Sequence, residues 1–294
     1  MLSDIQGQKK IVEFLSGIKR SGRIAHAYLF SGPPAVGKHT AALAWAKDLN
    51  CLEPKKNGEA CEKCVSCRKI KNSAHPDLIE ITTDGKKIKI EQIRELKRAM
   101  HYGPSEAKWK IIIIDPAEKL SKEAANSFLK LLEEPVPQVI MIMISSNPTS
   151  LLSTIRSRCQ NIAFQALPVA AVQNILSTNY NYTKEEAIVA AQEAQGVLGD
   201  ALLLKNTEIK NILEDLEKKD FRSVFSCMEM ARIMHGHKEE LAQILNLFLN
   251  KMFREKKQDV CKLILKTMSA LRYNVNVKLL LEAFLIRKGQ LQAS

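Results

Sequence analysis

The chain has 294 residues, of which 46% are hydrophobic, 26% charged and 5% aromatic, and its formal net charge is +12. That length supports two or three globular domains of about 100–150 residues each. The longest apolar run, residues 139–144, falls far short of the roughly 20 residues that cross a bilayer, which excludes a membrane-spanning helix. The positive excess favours a polyanionic partner, because clustered cations gain affinity by releasing counterions from nucleic acid. The densest basic stretches are residues 86–89 with Arg94, Lys97 and Arg98, and residues 251–257; Glu91 and Glu95 interleave with the first, so it reads as a solvated helix face. Residues 1–10 are polar and carry no apolar signal region, so the expected compartment is the reducing cytoplasm, where disulfides are disfavoured.

In chain order, residues 27–30 predict a short buried strand, residues 32–37 a glycine-bounded loop and residues 40–49 an alanine-rich helix. Apolar segments at 78–81, 111–114, 139–144 and 162–164 then alternate with helical patterns at 90–100 and 121–132. Such alternation predicts a parallel sheet covered by helices on both faces. Beyond Phe164 the strand signals stop, and residues 169–177, 184–195, 201–204 and 209–218 read as helices. Residues 223–291 keep helical spacing with few prolines, which predicts a helical bundle. Trp45 and Trp109 are expected in cores, and Cys227 and Cys261 in helix packing.

Two motifs carry chemistry. Gly32-Pro33-Pro34-Ala35-Val36-Gly37-Lys38 fits the phosphate loop, in which backbone N–H groups cradle phosphate oxygens and the lysine reaches the terminal phosphates. The place of the magnesium-holding Ser or Thr is taken by His39. Thr40 follows, but one helical step turns a side chain by about 100°, so it does not substitute, and magnesium binding is expected to be compromised. Pro34 removes an N–H from the loop. Strand residues 111–114 deliver Asp115, after which a hydrolysing enzyme would place a carboxylate to activate water; here stands Pro116, and Glu118, two residues on, reads as ordinarily solvated.

The second motif is four cysteines, Cys51, Cys61, Cys64 and Cys67, in a polar, glycine-containing segment unsuited to a core. Two Cys-x-x-Cys steps share Cys64, a spacing that puts three thiolates on one knuckle with Cys51 reaching in, and this predicts a structural tetrahedral zinc site.

Residues 24–30 entering the loop, the cysteine insert, residues 126–135 (NSFLKLLEEP), Ser146-Asn147-Pro148 and residues 154–159 (TIRSRC) together resemble the clamp-loader subunits of bacterial DNA polymerase III, a branch of the AAA+ superfamily. The match spans residues 5–164, with a weaker echo in Asn274 and Asn276 ahead of residues 279–285. The resemblance implies an α/β domain followed by all-α domains: a nucleotide-binding domain at 1–166 with the zinc module at about 51–70, a helical lid at 167–206 and a helical collar at 207–294. It implies that Arg158 is an arginine finger for a neighbouring subunit and that Asn147 is the first sensor. With Gly32, Gly37, Lys38 and Asp115, Asn147 would complete a degenerate site for ATP or ADP. The second sensor, an arginine after a Gly-x-x-Gly step, is replaced by Asp200 after Gly196-Val197-Leu198-Gly199, where a carboxylate would repel phosphate.

Three departures in one catalytic site, His39, Pro116 and Asp200, point to a non-hydrolysing stator type. Its implied partners are gamma/tau and delta subunits in a hetero-pentameric ring, the sliding clamp indirectly, and primed DNA through backbone contacts. Two alternatives remain: an active motor of gamma/tau type, and a zinc-dependent nucleic-acid binder. Against the latter, residues 51–71 carry Lys63, Arg68, Lys69 and Lys71 but no aromatic ring for stacking.

Overall fold

The computed structural model describes residues 1–83, 87–271, 273 and 275–293, so Lys86 of the first basic stretch and Asn274 lie outside the described residues. The chain divides into two compact units, Met1–Leu167 and Pro168–Ser294.

The first unit is built on five parallel strands, β1 (Ala27–Ser31), β2 (Leu78–Ile81), β3 (Lys110–Ile114), β4 (Val139–Ser145) and β5 (Gln160–Ala163), in the spatial order β2-β3-β4-β1-β5. Its helices are α1 (Lys9–Ser21), α2 (Lys38–Asn50), α3 (Val65–Lys71), α4 (Ile90–His101), α5 (Lys122–Glu133) and the single turn α6 (Ser153–Arg156). Every residue of β1, β3 and β4 is buried, as expected of strands covered on both faces. One face packs Ile112, Ile114, Met141 and Met143 against Ile93, Leu96, Phe128 and Leu132 of α4 and α5. Tyr28 and Trp45 meet edge to face at 4.9 Å, and Phe30 tilts against Phe164 at 5.3 Å.

Strand β5 starts two residues earlier than its apolar pattern predicts because pairing with β1 sets its register, Tyr28 opposite Gln160 and Ser31 opposite Ala163. Residues 9–21 and 65–71, which carry no predicted element, are both helical. Trp45 is fully buried, but Trp109 is only half-buried: it stands at the entry to β3, where its backbone is clasped by Asn50, whose Nδ2 donates to Trp109 O at 2.8 Å and whose Oδ1 accepts from Trp109 N at 2.9 Å. Lys110 is buried at 5% exposure because its ammonium donates to Ala99 O and Tyr102 O, where α4 ends and unpaired carbonyls attract a cation.

The second unit comprises α7 (Val169–Asn179), α8 (Lys184–Glu193), α9 (Leu198–Leu203), α10 (Thr207–Lys218), α11 (Val224–Gly236), α12 (Leu241–Arg254), α13 (Gln258–Ala270) and α14 (Val277–Ala293), with no strand among its described residues. Helix α7 packs on α8, α11 and α13 on α14, and α12 on α8, α9, α10 and α13. Cys227 and Cys261 are buried on α11 and α13, as their spacing predicts.

Asp77, just before β2, is 1% exposed and gathers three backbone amides, Ser105 N at 2.7 Å and Glu106 N and Ala107 N at 2.8 Å. Burial pushes its carboxyl up, but these donors outweigh burial and hold it below the usual carboxylate range. The carboxylate therefore stabilises the fold above about pH 4, and that contribution is lost as pH falls through the depressed folded value. Asp77→Ala is expected to cost about 2–4 kcal/mol at pH 7, read by urea denaturation, and Asp77→Asn less, with the wild-type difference shrinking in acid.

Candidate functional site

The first glycine of the phosphate loop stands where no side chain fits: a Cβ on Gly32 would meet Phe164 O at 2.4 Å, and its φ is +144°. Gly37 caps α2 in the left-handed region, and the loop delivers Lys38 at the first position of that helix. Lys38 is 5% exposed, and its ammonium donates to Gly32 O at 2.8 Å, Pro33 O at 2.5 Å and Ser146 Oγ at 3.2 Å. Burial pulls its pKa down, and the charges of Asp115 and Glu118 oppose that shift.

Asp115 follows β3, is half-buried, and has its pKa raised by burial while nearby His39 and Lys38 oppose the rise. His39 turns its Nε2 to Glu80 Oε2 at 2.9 Å, and Ser73 Oγ donates to the other Glu80 oxygen at 2.7 Å. Thr40 is exposed and lines a different hollow with Met1, Asp4, Leu43 and Lys47, so its hydroxyl does not stand in for the missing magnesium ligand. Glu118 is not ordinarily solvated: its Oε1 accepts from Ser146 N at 3.1 Å, and its Oε2 is buried with no hydrogen-bond partner among the described residues. The roles of Ser146 and Glu80 are not legible in sequence: the end of β4 meets the loop only because β4 pairs with β1, and Glu80, on edge strand β2, is reached by His39 from the start of α2.

Asn147 follows β4; its Oδ1 accepts from Thr149 Oγ1 at 2.7 Å. Arg158 stands 38% exposed after α6, donating from Nη1 to Thr154 O at 3.0 Å and pairing through Nη2 with Glu133 Oε1 at 2.9 Å. Asp200 lies inside the helical unit at 1% exposure, accepting from Gln243 Nε2 at 3.3 Å and Asn246 Nδ2 at 2.7 Å. Burial raises its pKa to about 6 against those two donors. Its carboxyl is thus tied up within the helices, and the expectation that it repels phosphate gives way to a packing role.

The four cysteines converge. Cys51 ends α2, Cys64 caps α3 and Cys67 lies in its first turn; the four sulfurs lie within 4.8 Å of one another. A tetrahedral thiolate site has edges of about 3.8 Å, so a small contraction would close these four around one ion. Backbone amides already point at the sulfurs, Cys61 N to Cys51 at 3.2 Å and Cys64 N to Cys61 at 3.2 Å. Burial pushes the thiols of Cys51, Cys64 and Cys67 up, but at Cys64 the amides of Cys67 and Leu52 outweigh it and hold the pKa at about 6, so without an ion only Cys64 of these three is shifted toward the thiolate a ligand needs. The module is fastened to α1 and α2: Lys19 donates to the carbonyls of Asp48 and Gly58, Ala60 N donates to Asp48 Oδ1 at 2.8 Å, and Lys47 pairs with Glu62 at 2.8 Å. The residues fit a thiophilic divalent ion.

Strand, loop, helix and the acidic residue that follows β3, one strand removed from β1, define a phosphate-loop protein on a parallel sheet. Within that class, residues 7–168 match the family model described as "DNA polymerase III, delta subunit", and the chain belongs to that family. It is 39% identical over 169 residues to DNA polymerase III subunit delta′ of Bacillus subtilis (strain 168), covering 58% of this chain and 51% of that protein. It is 35% identical over 212 residues to DNA polymerase III subunit tau of Escherichia coli (strain K12), covering 70% of this chain and 33% of that protein. The chain thus spans between a third and about half of the length of these relatives. A crystal structure of a DNA polymerase III gamma subunit-related protein from Thermotoga maritima superposes with a TM-score of 0.49 at 18% identity, over 94% of this chain and 98% of that one.

Metal analysis of the purified chain is expected to return one thiophilic ion per molecule. Cys67→Ser should lose it and lower the thermal midpoint by about 5–10 °C, whereas Cys261→Ser should keep the metal.

Proposed function

We propose that this chain is the delta prime, or stator, subunit of the DNA polymerase III clamp loader, a structural AAA+ subunit that supports ATP-driven loading of the sliding clamp onto primed DNA without hydrolysing ATP itself. The observation that carries this reading is His39: the position that should offer magnesium a hydroxyl offers an imidazole, drawn aside to Glu80 at 2.9 Å. Pro116 in place of a water-activating carboxylate agrees, and the sheet order with the loop between β1 and α2 accords with the AAA+ assignment. Arg158, partly exposed on a surface ion pair, is free to exchange Glu133 for the charge that develops on a neighbour's transferred phosphoryl group. The cysteine cluster holds zinc as a structural ion. Residues 167–206 act as lid and 207–294 as collar, in a cytoplasmic hetero-pentamer with gamma/tau and delta; contact with primed DNA is through its backbone.

One observation favours a second reading, an active motor of gamma/tau type. Glu118 places a carboxylate, one oxygen buried and unpartnered, close enough to Lys38 to oppose the fall in that lysine's pKa.

The two readings separate in the chain assembled with gamma or tau and delta. For the stator, DNA-stimulated ATP turnover falls about tenfold or more with Arg158→Ala, as expected when a finger acting in trans is removed, and is unchanged by Lys38→Ala or Glu118→Gln. A comparable fall with Lys38→Ala or Glu118→Gln in intact assemblies would make this chain's own site active and overturn the proposal.

A further inference from the structure

In the helical unit, the start of α13 and the last turns of α14 enclose a cleft of about 520 Å³ whose wall includes Lys256, Lys257, Lys288 and Gln292, with Glu217 and Asp259 at its edge. Lys288 is the unusual member. It is 3% exposed, its ammonium nitrogen is buried, and among the described residues that nitrogen has no hydrogen-bond partner. The nitrogen stands over the face of Phe221, 4.5 Å from the ring centre, and Asp220 is the nearby acid whose charge favours the ammonium without hydrogen-bonding it. Burying an ammonium without an anion or acceptor is expensive, and natural cores avoid it.

Three further features give the cleft a sign. Lys257 precedes α13 as its cap but supplies no side-chain cap; Gln258 N donates to Lys256 O at 3.0 Å and Asp259 stands in the first turn, and the remaining first-turn amides present the positive end of a 13-residue helix. Lys288 lies on the same face of α14 as Leu291 and Gln292, which line the cleft one turn further on. The two acids at the edge are already engaged from outside, Glu217 by Lys251 at 2.6 Å and Asp259 by Lys262 at 3.1 Å. Lys257 itself leans on exposed Glu255 at 2.7 Å, a surface pair that an incoming anion would displace at little cost. Burial pulls the Lys288 pKa down to about 8, with the Lys257 charge adding to the shift, and an anion between the two would reverse it.

We propose that this cleft is a phosphate-binding site, in which Lys288 from the floor, Lys257 and Lys256 from the rim and the amide end of α13 receive one phosphate group. It goes beyond the proposed function and does not depend on it: neither the phosphate loop nor Arg158 takes part. The group would come either from free phosphate or from the backbone of a nucleic acid, whose chemistry at this scale is the same.

The test is hydrogen exchange on the full chain, following the peptide that holds residues 256–262, titrated with inorganic phosphate against sodium chloride at constant ionic strength. Saturable slowing of the first-turn amides is expected in the wild type and equally in Lys38→Ala, which separates this site from the phosphate loop. Lys288→Met should weaken it about tenfold or more, the loss of one charge-assisted hydrogen bond. Its fold is checked by circular dichroism, and the paired variant Lys256→Gln with Lys257→Gln is expected to weaken binding without touching the buried position. No slowing in the wild type, or slowing unchanged in both variants, overturns the proposal. A primed DNA duplex added in place of phosphate distinguishes the sources: protection by DNA that phosphate competes away assigns a backbone phosphate, and protection by phosphate alone assigns a small free anion.

Discussion

Parallel strands buried on both faces set the terms for the whole first unit. With β1, β3 and β4 buried throughout, and polar only at Ser31, Lys110 and Ser145 at their ends, the functional groups that follow these strands are displaced to the strand ends. Gly32, Lys38, Asp115, Glu118 and Ser146 all belong to segments that follow β1, β3 or β4. The sheet order then decides which ends are neighbours, and thereby which charges meet. Lys38 lies within electrostatic reach of Asp115 and Glu118, and Asp115 within reach of His39 and Glu80.

This cluster has an acidic excess. One buried lysine and one histidine face three carboxylates in a region where burial lowers the lysine pKa and raises that of Asp115. Because the acids outnumber the bases, a bound phosphate would have to compete with these carboxylates for the lysine. His39 pairs with Glu80 and offers no hydroxyl for the metal that an active phosphate-loop enzyme keeps beside the lysine.

The sequence revealed a good deal of this, for reasons that differ by element. β1, β3 and β4 were legible because strands buried on both faces are nearly continuous apolar runs, β2 and β5 only through short apolar stretches at the sheet edges, and the phosphate loop and the cysteine cluster because their spacing is fixed by local geometry. The amphipathic α1 was lost in a lysine-rich start, and α3 in the cysteine insert, where metal-ligand spacing drew the eye from helical spacing. Helix α9 begins at Leu198, earlier than its apolar residues imply, because Asp200 is satisfied from α12 rather than by solvent. Glu118, Ser146, Glu80 and Lys288 were misread or unseen for the same reason: what each one meets is fixed by tertiary neighbours far away in sequence.

Helix α2 begins at Lys38 and ends against Cys51, and its 13 residues make a rod of about 20 Å with the phosphate loop at one end and the cysteine knuckle at the other. A rigid rod clamped at one end cannot rotate freely at the other. Any tilt of α2 that opens the loop has to be absorbed at Cys51 and at the Asn50 clasp on Trp109, while the opposite end carries the lysine. Were an ion to stiffen the knuckle and a ligand to select one loop geometry, whatever coupling α2 carried between them would by linkage be equal in both directions.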